Sequence, residues 1–430
     1  MSSRRERQAT PKSGVVATVR RHRPDYQIVL YMGLLMLLGL IVLYAISPAR
    51  VELINQNGSS LDQAHFMQKQ LLYLAIGLTG FGITASLPFA FWRKTAAKWL
   101  LAGFGACLLL AILGVFLDGG IIIETGGATR WYNVGIGSFQ PAELLKFGML
   151  LFLAVFLARR LKQGNLNNLT DTLVPVGVLM AVATLLVIVF QKDMGTGITM
   201  FGMVLAMLMV SGLKARWFAL IGAAVIGLGV LLIITSAHRM DRVLTFFNPS
   251  SADEASSYHI TQAAIALGSG GLTGKGLGHS VQAFGYLPEA VNDSIFAILG
   301  ETFGFAGLVV ILTIFFLLLR RLLSVVEHSP DPTMRLVVAG VFGLIASHVV
   351  VNVGAMTGVF PLTGVTLPFL SFGGTSLLFA MLGLGLVLNI SRYTTYQTVD
   401  ERKETSRESA GVRGRIRWSR DTGSSRHQRA

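Results

Sequence analysis

Glu143 and Lys146 are an acid and a base set in an otherwise apolar stretch, Gln140-Pro141-Ala142-Glu143-Leu144-Leu145-Lys146. Pro141 suits the first turn of a helix, and a three-residue gap puts both charges on one helix face. Charges inside an apolar span are costly unless they pair or line a polar cavity, so two readings follow: a structural ion pair, or the wall of a substrate site. Asp293, in Tyr286-Leu287-Pro288-Glu289-Ala290-Val291-Asn292-Asp293-Ser294, stands where a long polar loop re-enters an apolar run. A carboxylate at such a border is partly desolvated, which raises its affinity for a proton and suits a general base. Glu289 and Glu301 are its rivals. Their spacing brings all three acids toward one helix face if the segment is helical, which Pro288 makes doubtful, and composition alone does not rank them.

Other segments carry weaker signals. Gly126-Gly127-Ala128-Thr129-Arg130-Trp131-Tyr132 joins open backbone, an arginine and two aromatics, and an arginine there can grip a diphosphate through paired hydrogen bonds. Gln191-Lys192-Asp193-Met194-Gly195-Thr196 reads as a tight turn between two spans. Gly268-Ser269-Gly270-Gly271-Leu272-Thr273-Gly274-Lys275-Gly276 looks like a phosphate cradle but lacks the first glycine and the final Ser/Thr of that pattern, so it reads as flexible loop backbone. The 361–375 stretch interrupts the last two spans with prolines, glycines and hydroxyls, an arrangement tolerated at membrane depth where it lines a cavity or is buried in protein.

The elements that hold these groups are membrane spans. Of 430 residues, 52% are hydrophobic and 13% charged, against about 25% charged in a soluble domain. A bilayer core of about 30 Å needs about 20 apolar residues in a helix. Ten runs qualify: 27–46, 71–88, 99–117, 139–158, 173–190, 195–213, 217–234, 294–319, 336–356 and 372–390. The expected fold is therefore an all-α membrane protein of ten helices. Its expected division is a basic tail at 1–26, a membrane domain at 27–390 with a large outside loop at 235–293, and a second basic tail at 391–430. Most of the 36 Lys and Arg fall in the tails and in every second loop, so the positive-inside rule puts both termini in the cytoplasm. The net charge of +14 is then a lipid and topology signal, with nucleic acid not expected as a partner. The loop opens with His238-Arg239-Met240-Asp241-Arg242 and Phe246-Phe247, a mixture suited to the headgroup level. A single cysteine, Cys107, excludes disulfides within the chain.

Read together, these segments resemble the SEDS family (FtsW, RodA and SpoVE), from the first span to the last. Its GA-x-RW and QPSE-x-x-K motifs are matched from Gly127 to Lys146, with Ala142 in place of serine. Its PDLGT turn is Lys192 to Thr196 here. Its YLPEAHTDFIFA-x-x-GEE-x-G segment runs from Tyr286 to Gly304, departing at Val291, Asn292, Ser294 and Thr302. Its PLTG-x-x-LPF-x-S-x-GG-S motif runs from Pro361 to Thr375. The YLPEA form, the glycine run before it and the long basic N-terminal tail look more like FtsW than RodA.

The resemblance implies a ten-span glycosyltransferase of the bacterial inner membrane that polymerises lipid II into peptidoglycan strands, at the septum if it is FtsW-like. It implies Asp293 as the essential acid, with Glu143 and Lys146 shaping the cavity and Arg130 meeting the diphosphate. The candidate substrate-binding residues are then Glu143, Lys146, Arg130, Gln140, Glu289, Glu301 and Ser371. The resemblance also implies a class B penicillin-binding protein and other divisome proteins as partners. No fixed cofactor or metal site is implied, although a divalent cation is compatible with it. A lipid-linked precursor flippase, a RodA-like elongation polymerase and a divisome scaffold are the alternatives.

Overall fold

The computed structural model describes residues 23–393 apart from 57, 59, 117–119, 126–127, 136 and 248–253. Nearly all of both basic tails and the Gly126-Gly127 pair therefore lie outside the described residues. The chain forms α1 (Tyr26–Gln56), α2 (His65–Ser86) and α3 (Phe89–Phe116), then strands β1 (Ile122–Thr125), β2 (Ala128–Asn133) and β3 (Ser138–Phe139). After them come α4 (Pro141–Lys162), α5 (Val174–Thr184), α6 (Met194–Ser211), α7 (Ala215–Ile234), α8 (Ala237–Phe247) and α9 (Glu254–Ser269). The bundle closes with α10 (Ile295–His328), α11 (Pro332–Met356) and α12 (Gly374–Ser391).

Among the described residues, 9 helices are long and apolar enough to cross a membrane: α1, α3, α4, the run Leu169–Phe190 that contains α5, α6, α7, α10, α11 and α12. The chain is thus a multi-pass membrane protein. The tenth expected span falls in α2, which at 22 residues has the length but not the hydropathy. Gln68, Lys69 and Gln70 occupy its early turns, and Gly77, Gly80 and Gly82 thin its apolar body.

Lipid tails offer no hydrophobic drive for one helix to leave them for another, so close packing must hold the bundle. Glycines supply it where α3 crosses α4. A methyl on Gly103 would lie 2.6 Å from the Leu145 Cα, and one on Gly148 would lie 2.6 Å from the Trp99 carbonyl oxygen. The centre is α4, α11 and α12, whose most apolar stretches are 78%, 67% and 72% buried, whereas that of α7 is 0% buried and only half-buried residues such as Ile221 meet the core.

Two regions depart from the expected pattern of spans and loops. The segment between α3 and α4 is a small antiparallel sheet in the order β1-β2-β3, with Tyr132 opposite Phe139. The glycine run after α9 is not slack: Lys275 N and Gly276 N donate to the Glu301 and Thr302 carbonyls (2.9 and 3.0 Å). Phe305 N and Ala306 N donate in turn to Gly271 and Leu272 (2.9 and 3.0 Å). This backbone ribbon opens α10 at Gly304, whose φ of 66° and ψ of −170° only glycine adopts without strain. The α8 segment packs back on the bundle through Arg239, which donates to the Leu232 and Ile188 carbonyls (3.0 and 2.6 Å).

Candidate functional site

Helix direction decides which groups meet. α4, α6, α10 and α12 begin, and α11 ends, at one end of the bundle, while Arg93, Arg159, Arg160, Lys214, Arg320 and Arg335 sit at the other. The site residues therefore collect at the end away from these basic side chains.

Asp293 precedes α10 on a chain of turns, 286–294, that is not helical, with Glu289 at a positive φ of 51°. The acids at 289, 293 and 301 therefore do not share a helix face. α10 begins only at Ile295, and Pro288 bars a helix from running through the residues before it. Asp293 is half-buried. Its carbonyl accepts from Asn352 Nδ2 (2.6 Å), and the same nitrogen donates to Val365 O (2.6 Å). Phe372 N donates to Val291 O (2.8 Å), a second tie between the turn and the 361–375 segment. Gly364, at φ 72°, faces the carboxylate, and a methyl there would lie 3.8 Å from Asp293 Oδ2. Two of the family departures around Asp293 find polar partners, and the third, Val291, is buried. Asn292 donates to Glu289, while Ser294 Oγ donates to Pro288 O (2.8 Å) and lies 2.8 Å from His259 Nε2.

Glu143 and Lys146 form the expected pair, 2.8 Å apart and with only 4% and 2% of their surface exposed. Glu143 also lies in the first turn of α4, where the helix dipole favours an anion. Lys146 Nζ reaches His348 Nε2 (3.3 Å), and His348 Nδ1 lies 3.1 Å from Thr366 O. His348 and Asn352 had not been picked out from the sequence. The available signal was two polar residues one turn apart in an apolar span.

Gln140 ties three helix starts together. Its amide donates to Asp193 Oδ2 (2.8 Å), and its backbone N donates to Thr375 Oγ1 (3.2 Å). Asp193 in turn caps α6 by accepting from Thr196 N (2.9 Å). Ser371 is buried and its hydroxyl accepts from Leu367 N (2.8 Å). Arg130 donates to the Gln191 and Lys192 carbonyls (3.1 and 2.8 Å), fixing the turn before α6.

The two rival acids have separate surroundings. Glu289 is exposed. Glu301 is fully buried and accepts from Ser280 Oγ (2.6 Å), Lys275 Nζ (2.7 Å), Gln282 N (3.1 Å), Val281 N (3.2 Å) and Ser269 Oγ (3.4 Å). Among the described residues, no group of three or more His, Cys, Asp or Glu is placed to hold a metal ion.

An acid in a turn, a buried ion pair and an irregular segment meet at one end of a helical bundle, which defines a polytopic membrane protein with a polar site at one membrane face. Residues 26–396 match the model of the FtsW/RodA/SpoVE cell cycle proteins, and the chain belongs to that family. It is 36% identical to stage V sporulation protein E of Bacillus subtilis over 380 residues, covering 88% of this chain and 100% of that one. It is 35% identical to a probable peptidoglycan glycosyltransferase FtsW of Thiomicrospira cyclica, covering 86% of this chain and 92% of that one. Among solved structures it resembles a chain of a peptidoglycan synthase complex that coordinates polymerization and crosslinking. That match has a TM-score of 0.65 at 26% identity and covers 86% of this chain and 98% of the other. It also resembles the rod shape determining protein RodA of Thermus thermophilus, with a TM-score of 0.61 at 25% identity over 90% and 100% of the two chains.

Proposed function

We propose that this protein is a peptidoglycan glycosyltransferase that polymerises lipid II at the outer face of the bacterial inner membrane, with Asp293 as the general base. The observation that carries the reading is the placement of Asp293. Of the three acids near the re-entering loop, it alone is half-buried and faced by the 361–375 segment, at the end of the bundle away from the basic loops. The names of the relatives support the reaction class.

In this mechanism the 4-hydroxyl of one sugar attacks the anomeric carbon of another. The new C–O bond forms as the bond to undecaprenyl diphosphate breaks, and Asp293 takes the hydroxyl proton. The neutralised Glu143–Lys146 pair gives the site a polar floor without a net charge. Gln140, Ser371 and Arg130 hold the surrounding backbone, and Glu289 lies at the rim. Glu301 anchors the loop that leads to the turn.

The FtsW-like features of the sequence favour septal synthesis, with a class B penicillin-binding protein crosslinking the product. Purified protein, supplied with that partner and lipid II, should yield glycan strands, and D293A should yield none. Equal product from both would remove Asp293 from the chemistry. Depletion in cells separates the roles, since a septal enzyme leaves filaments and an elongation enzyme leaves spheres.

A further inference from the structure

Within the apolar length of α11, His348 and Asn352 are one turn apart and buried, with 7% and 1% of their surface exposed. They hold consecutive carbonyls of the 361–375 segment, Asn352 that of Val365 (2.6 Å) and His348 that of Thr366 (3.1 Å). The residue just before these two is Gly364, which faces the Asp293 carboxylate. An amide NH₂ has two protons, and Asn352 spends the other on the carbonyl of Asp293 itself (2.6 Å). One side chain thus bridges both walls of the niche.

The protonation of His348 follows from its partners. A lysine ammonium only donates, so Nε2 must offer Lys146 its lone pair, and a carbonyl only accepts, so Nδ1 must carry the proton toward Thr366. His348 is therefore a neutral strut, and the charge stays in the Glu143–Lys146 pair beside it. An apolar residue of similar volume would fill the same space. It would also leave a buried carbonyl without its donor and the ammonium without one acceptor.

Resting on the assignment of Asp293 as the base, we infer that His348 and Asn352 are positioning residues, which set the distance between Asp293 and Gly364 by pinning residues 365 and 366 to α11. Neither touches the reacting atoms. Their effect belongs in the rate of the chemical step, because a misplacement of about 1 Å costs about 10²-fold in rate.

The test uses the full-length protein in nanodiscs with lipid II and the crosslinking partner. H348L and N352L should each lower kcat about 10²-fold with KM unchanged. H348Q, whose amide both donates and accepts, should recover most of the rate. The double variant H348L/N352L should lose little more than either single, since both release the same segment. Hydrogen exchange over residues 286–294 and 361–368 reads the same point without turnover. It should rise in H348L and N352L and match wild type in H348Q. If the wild type made no polymer but exchange followed this pattern, the Asp293 reading would fail while the positioning role held. Unchanged exchange and wild-type kcat in H348L would overturn the positioning role, as would losses in the double variant that simply add. Should H348L fail to fold, N352L and H348Q carry the same comparison.

Discussion

Asp293 and Glu301 are eight residues apart at the same end of the bundle, yet they are built into different kinds of site. A carboxylate offers about four acceptor positions, and Glu301 faces five donors, one of them the Lys275 ammonium, with none of its surface exposed. It has no acceptor position left for a substrate. Asp293 is half-buried, faces Gly364, and has its backbone carbonyl held by Asn352. The difference teaches that a buried acid saturated by its own loop is an anchor, whereas a half-buried acid at the mouth of an irregular segment is the one placed where the proposed chemistry needs it.

Five substitutions, two of them combined in a double variant, break or sharpen that contrast. The largest effect belongs to D293N, which should cut lipid II polymerisation about 10²–10⁴-fold, the usual worth of a positioned base, without shifting thermal unfolding. Next comes K146M, which strands the buried Glu143 carboxylate and should destabilise the protein by about 3–5 kcal/mol. The double variant E143Q/K146M should regain most of that stability, measured by thermal unfolding in detergent. E301Q should cost about 1.5–3 kcal/mol through its weakened bond to Lys275. It should also make the 269–282 segment sensitive to protease while leaving turnover per folded molecule near wild type. The smallest effect is expected of R130Q, about 1 kcal/mol for two carbonyl bonds. Its KM for lipid II should barely move, and a large rise in KM would place the guanidinium on the diphosphate instead.

The groups that act within one element were legible in the sequence. A three-residue gap on a proline-started helix forecast the Glu143–Lys146 contact, and the change from polar loop to apolar run located Asp293. What stayed hidden depends on distant partners. Glu301 takes its donors from residues 269–282, and no periodicity in α10 marks that ribbon. His348 and Asn352 look like isolated polar residues until Thr366 and Asp293, 18 and 59 residues away, come into contact with them. Arg130 looked available for a ligand because the carbonyls it holds lie 61 and 62 residues further on. α2 was forecast from its apolar body, but its polar first turns and three glycines give it the length of a span without the hydropathy.

Lipid II polymerisation by the wild type, D293N and E301Q in parallel, each corrected for its folded fraction, tests the central claim most directly. Long glycan strands from the wild type and E301Q with none from D293N is the predicted result. Strands from D293N at the wild-type rate, or their loss from folded E301Q alone, would contradict the assignment of the base.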